Sequence, residues 1–159
     1  MPTLAFFLNQ SVNALSQAAL LFFLGVGLTL IFGIMRIVNF AHGTLYMLGA
    51  FAGYSLVHVT GSFWAGVVLA PVIVGLLGTA FELGILRRLY GRDAHAFLMV
   101  TFGLALVVGE AVRLLWGSDA LQVPPPAGLS GVLFFLDEPF PVYRLFLAVA
   151  GIAMAICIW

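Results

Sequence analysis

The stretch IVNFAHGTLYMLGAFAGYSLVHVTGSFWAGVVLAPVIVGLLGTAF, residues 37–81, contains no Asp, Glu, Lys or Arg. A helix that crosses a bilayer needs about 20 mostly apolar residues, so this run is about twice one crossing and must contain a turn. Thr60-Gly61-Ser62 carries the turn chemistry. Reading outward from it places one span at 43–59 and the next at 63–86. A span at 11–33 precedes them, with Asn13, Ser16 and Gln17 near its start. Spans at 95–116 and 142–159 follow, separated by a Pro- and Gly-rich external loop at 117–141. The expected fold class is all-α: a polytopic α-helical membrane protein with about five transmembrane helices in one domain, 1–159.

Composition agrees. The chain is 159 residues long, 64% apolar and 8% charged, against about 25% charged in soluble domains. A water-soluble fold of this size leaves roughly a third of its unfolded surface exposed and cannot hide so much apolar area. Hydrocarbon must be the solvent for much of the surface. Net charge is zero and lysine is absent, which excludes nucleic acid as a partner class. The single cysteine, Cys157, builds no disulfide or metal framework and reads as a small apolar side chain. No metal site and no cofactor are expected. The first charge is Arg36, so the leading apolar segment lacks the basic flank of a cleavable signal and is expected to remain in the membrane. The fifth span meets Trp159 with no polar flank, as expected of a chain cut within or just after a helix.

Arginine placement predicts orientation. Arg36 and the group Arg87, Arg88 and Arg92 fall on one side if every span crosses. Arg113 and Arg144 fall on the other, with Glu110, Asp119, Asp137 and Glu138. The arginine-rich side is cytoplasmic by the positive-inside rule. The N-terminus and the 117–141 loop are then outside.

Small residues predict close helix contacts. Gly49 and Gly53 form a G-x-x-x-G pair. Thr29 with Gly33, and Gly75 with Thr79, repeat the spacing. Glu82 lies about a turn inside Arg87 and Arg88 and is expected to reach them. Glu110 and Arg113, three apart on one helix, are expected to pair. His58 and His95 fall at span ends, as do Trp64, Trp116, Tyr90 and Tyr143. Residues 131–141, apolar around an acidic Asp137-Glu138 turn, read as a hairpin or as an interfacial patch. Such a patch either meets a delivering protein or packs on the chain's own outer face.

The segment Arg36-Ile37-Val38-Asn39-Phe40-Ala41-His42-Gly43 puts a charge, an amide and an imidazole between two apolar spans. It reads either as a short cytoplasmic turn, with Asn39 satisfying backbone groups, or as a helix break at membrane depth. Irregular backbone is tolerated at that depth only where it is buried in protein or lines a cavity. Half-helix N-termini there suit a carboxylate. Asn39, His42 and the backbone near Gly43 are the candidate substrate-pathway residues. No H-E-x-x-H, paired carboxylate or Ser/Lys constellation supports an intramembrane enzyme, and no ring of repeated polar side chains supports a channel.

The run from Gly27 to Phe51 resembles a known family, the LivH-type permease subunit of branched-chain amino-acid ABC importers. The resemblance is carried by Gly27, Thr29, Phe32 and Gly33 leading into Asn39-Phe40-Ala41-His42-Gly43. The Arg-Arg-Leu at 87–89, Phe102-Gly103 and the Pro-rich loop also look similar. It implies a multi-pass subunit of the bacterial inner (plasma) membrane with no catalytic site of its own. It implies as partners a second related permease, two cytoplasmic ATPase subunits and a periplasmic substrate-binding protein. Gly27, Gly33, Gly49 and Gly53 are then helix-packing positions. The implied cargo is leucine, isoleucine or valine. Related permeases for urea or short amides are the alternative, and a non-transporting scaffold a more distant one. Members are longer than this chain, and the loop that docks the ATPase is expected to lie beyond it.

Overall fold

The computed structural model describes residues 4–36, 38–135 and 138–158. Ile37 in the polar interruption, Asp137 in the acidic turn and Trp159 at the end of the fifth span lie outside the described residues. The element order is α1 (Leu4–Met35), α2 (Ala41–Thr60), α3 (Phe63–Gly84), a 3₁₀ turn (Leu86–Leu89), α4 (Ala94–Trp116), β1 (Val132–Phe135), β2 (Glu138–Pro141) and α5 (Val142–Ile158). Among the described residues, three helical segments are long and apolar enough to cross a membrane: Phe6–Ile34, Phe63–Leu89 and Ala94–Trp116. α2 has the length, with 20 residues, but carries His42, Thr44, Tyr54, Ser55 and His58 along it. α5 is shorter, at 17 residues. The fold is a polytopic all-α membrane fold carrying one small hairpin.

α1 begins at Leu4 rather than near Ser11. At about 1.5 Å per residue its 32 residues make it longer than the roughly 30 Å of hydrocarbon. It therefore has length to spare for the polar turns at Asn9, Gln10 and Asn13. It stops at Arg36, whose φ of 54° is left-handed. The Arg36 N–H donates to the Phe32 carbonyl at 2.7 Å and closes the helix.

The chain packs as two compact units. The first is residues 1–26 with 124–159, and the second is 27–123. In the first unit Ser16, Ala19, Ala148 and Gly151 are buried. Gly151 of α5 approaches Ala19 of α1 so closely that a Cβ at 151 would clash with the Ala19 methyl. The Asn9 amide donates to the Pro139 carbonyl at 3.2 Å, and Arg144 donates to Oδ1 of Asn13. β1 and β2 pair antiparallel with Val132 opposite Pro141 and Phe134 opposite Pro139. Of the two readings of 131–141 the structure shows the hairpin. Phe140 is buried, and with Leu133, Leu8, Val12 and Leu15 it lines an apolar cleft of about 400 Å³. Phe134 points outward, 76% exposed.

In the second unit α2 and α3 form an antiparallel pair. Gly61, left-handed at φ 68°, ends α2 and donates its N–H to the Val57 carbonyl at 2.8 Å. The Ser62 hydroxyl accepts from the Ala65 N–H at 3.3 Å and caps α3. The turn is thus at Thr60-Gly61-Ser62. Four cross-helix pairs then follow at every fourth residue, three of them large against small and one, Gly53 with Ala70, small against small. A Cβ at Gly78 would meet Leu45 at 3.6 Å, one at Gly49 would meet Val74 at 3.7 Å, and one at Gly53 would meet the Ala70 methyl at 3.8 Å. One at Gly66 would stand 2.6 Å from Val57 and 3.1 Å from the Gly53 carbonyl oxygen. The contacts recur at every fourth residue on both helices, and the backbones come close at Gly66 and Gly53.

α4 packs on α2. Trp116 donates from Nε1 to the Ser55 hydroxyl at 2.8 Å, and its ring tilts against Phe51 at 5.4 Å between centroids. Phe97 and Thr101 are fully buried on α4.

Candidate functional site

The interruption at 36–43 separates two helices. α1 ends at Met35 and α2 begins at Ala41. Asn39 is buried, and its Oδ1 accepts from the Ala41 N–H at 2.9 Å. This is the local bond that Asn makes to backbone two residues on. It satisfies one of the donors that every helix N-terminus leaves open. The His42 N–H donates to the Asn39 carbonyl at 3.2 Å. Phe40 is edge-on to Phe102 of α4, 6.0 Å between centroids.

His42 is half-buried, and its imidazole lies against Gly27 of α1. A Cβ at 27 would stand 2.7 Å from both Cε1 and Nε2. The structure thus brings together one residue expected on the substrate pathway and one expected in helix packing. Gly43 is exposed with open space around it, and so is Gly33. Gly49 and Gly53 face α3, whereas Gly75 has open space and Thr79 donates its hydroxyl to the Gly75 carbonyl of its own helix at 2.8 Å.

Around this core the ionisable residues divide. Glu110 and Arg113 pair as expected, Oε1 to Nη1 at 2.9 Å. Glu82 does not pair with Arg87 or Arg88 among the described residues; its carboxylate instead acts on the Tyr90 hydroxyl. The 3₁₀ turn after Gly84 brings Tyr90 back towards α3, which the i, i+5 spacing to the arginines does not reveal. Partial burial first, and then the Glu82 carboxylate, raise Tyr90 above the ordinary tyrosine range, against a smaller opposite pull from Arg87. His95 meets Asp93 at 3.3 Å in an exposed pair, and His58 stacks on Tyr54 at 5.9 Å.

Among the relationships that escaped the sequence reading are Gly66 against Val57, Trp116 bonded to Ser55, and Gly151 against Ala19. Gly66 and Ala70 share the small-x-x-x-small spacing of Gly49 and Gly53 and were open to the same argument. The other two carry no sequence spacing.

The profile of the family described as "Branched-chain amino acid transport system / permease component" matches residues 10–159. The chain is 27% identical over 133 residues to BraD of Pseudomonas aeruginosa, a high-affinity branched-chain amino acid transport system permease protein. That alignment covers 78% of this chain and 43% of the relative. It is 27% identical over 130 residues to LivH of Escherichia coli K12, covering 75% and 42%. It is 24% identical over 128 residues to LivH of Salmonella typhimurium, again covering 75% and 42%. The chain spans less than half the length of these curated relatives. No solved structure matches. With three helices fit to cross a bilayer, it is a multi-pass inner-membrane protein. The profile match over nearly the whole chain settles the family: this chain belongs to the branched-chain amino acid transport system permease component family.

Proposed function

We propose that the chain is part of a permease subunit that carries leucine, isoleucine or valine inward across the bacterial inner membrane. A periplasmic binding protein hands over the amino acid. A second, related permease completes the passage, and two cytoplasmic ATPase subunits hydrolyse ATP; this chain has no catalytic site. The relatives' printed role supports the cargo. The observation that carries the local mechanism is the break between α1 and α2, with His42 held at Gly27.

A zwitterion sheds water on entering the bilayer, so the route must replace its hydrogen bonds. The imidazole of His42 and the α2 N-terminus supply polar partners at the break. Asn39 acts there by holding the first turn of α2, through its bond to the Ala41 N–H. ATP-driven change of state between outward and inward access moves the cargo past them.

The test is uptake of labelled leucine into proteoliposomes holding the permease with its companion subunits. Accumulation against a gradient that requires ATP supports the reading. Accumulation of urea or acetamide without leucine overturns the cargo. Uptake unchanged in both Asn39→Ala and His42→Ala removes the break from the route.

A further inference from the structure

The last turns of α4 hold the charge pair Glu110–Arg113 inside a segment, Ala94–Trp116, that is fit to cross the membrane. Charges within such a segment face protein or a water-filled cavity rather than lipid. A cleft of about 490 Å³ lies at this pair, within the roughly 300–1,000 Å³ of small-molecule sites. Met47 and Phe51 of α2 and Leu106 of α4 form an apolar wall. Gly117, left-handed at φ 83°, turns the chain so that Ser118 and Asp119 line the same space. Gly109 leaves open room on that face.

The pair engages one guanidinium nitrogen and one carboxylate oxygen. Arginine carries further N–H donors and a carboxylate a second oxygen, and both side chains are about two-thirds exposed: 63% for Arg113 and 66% for Glu110. Adjacent opposite charges above an apolar wall complement a small molecule with the same arrangement. An α-amino acid with a hydrocarbon side chain has its ammonium and carboxylate on one carbon. Asp119 adds a second carboxylate beside Glu110, so an ammonium has two acceptors, the ligand carboxylate has the Arg113 guanidinium, and a net anion is repelled.

We infer that the Glu110–Arg113 cleft is a receiving subsite for a zwitterionic, apolar-side-chain amino acid, distinct from the break at 36–43. Arg113 takes the carboxylate, Glu110 the ammonium, and the α2–α4 wall the side chain. The inference rests on the transport reading above.

The experiment compares wild type with the doubly neutral variant E110Q+R113Q and with G109F, in the assembled transporter in proteoliposomes. Glutamines at both positions can still bond to one another, so a purely structural pair would survive the change nearly intact. The subsite predicts that labelled-leucine uptake falls about tenfold or more in the double variant, the loss expected for charged contacts to substrate. It predicts a comparable fall in G109F, which fills the cleft and keeps both charges. Monodispersity in detergent checks that each variant is folded; should the double variant aggregate, G109F alone decides. Wild-type uptake in the folded variants overturns the subsite and leaves the transport reading standing. A wild-type assembly that takes up no leucine overturns both.

Discussion

The imidazole of His42, in the first turn of α2, rests on the bare backbone of Gly27 in α1, where a methyl group would stand 2.7 Å from Cε1 and Nε2. A side chain at 27 would force the ring to shift. The same contact sets where the ring stands at the helix break, and so couples packing to the proposed route.

Gly27→Ala is expected to displace the His42 ring and lower leucine uptake. Gly27→Leu should also destabilise the protein by about 1–3 kcal/mol, the usual cost of overpacking. Gly33→Ala is the control, because nothing stands within 4 Å of its added methyl. Its stability should stay within about 0.5 kcal/mol of wild type. Thermal unfolding in detergent, beside uptake, reads all three; equal effects at 27 and 33 would sink the contact.

The α2–α3 seam gives a second test. Gly66→Ala places a methyl 2.6 Å from Val57 and 3.1 Å from the Gly53 carbonyl oxygen. A loss of about 1–3 kcal/mol is expected. Val57→Ala in the same chain should restore part of it and not all, because a side chain can be trimmed and a backbone oxygen cannot. Denaturant titration of the four proteins in the cycle measures a coupling of about 0.5 kcal/mol or more; additivity would contradict the geometry.

Trp116 and Ser55 lie far apart in sequence and share a hydrogen bond between α4 and α2 at 2.8 Å. Such bonds between membrane helices contribute about 0.6 kcal/mol on average, reaching about 1.7. Trp116→Phe combined with Ser55→Ala should return a coupling in that range. A cycle that closes to zero would show the bond to be energetically idle.

Tyr90 should titrate above the ordinary tyrosine range. Partial burial and the Glu82 carboxylate raise it, so the folded protein keeps that proton at a pH where the unfolded chain, near about 10, has lost it. Its contribution to stability is therefore complete below about pH 10 and is lost as pH rises through the raised value. Ultraviolet titration of phenolate in detergent should show a late-ionising tyrosine, which Glu82→Gln brings downward. A late ionisation unmoved by Glu82→Gln would leave burial as its only cause.

Three of the helices were legible because lipid imposes a coarse rule, about 20 apolar residues per crossing, and those three obey it. The turn at Gly61 was legible for a local reason: a left-handed residue must end α2 there, and glycine adopts that conformation without a Cβ clash. The start of α1 was not: the sequence places the span from 11, whereas the helix begins at Leu4, with Asn9 bonded to Pro139 and Asn13 to Gln10 and Arg144. Glu82 was assigned to arginines by proximity in sequence, whereas the 3₁₀ turn delivers Tyr90 instead.

By itself the amino-acid sequence determined a membrane-embedded helical protein, its polar interruption at 36–43 and its family, since hydropathy, turn residues and motif are all properties of neighbours along the chain. Only the tertiary structure decided that His42 sits on Gly27, that Gly66 rather than Gly33 is a tight crossing point, and that Glu110 and Arg113 open onto a cleft walled by α2. Those depend on which faces of separate helices meet. In a chain where most residues are apolar, small side chains occur on many faces, and close packing selects among them only when two backbones come together.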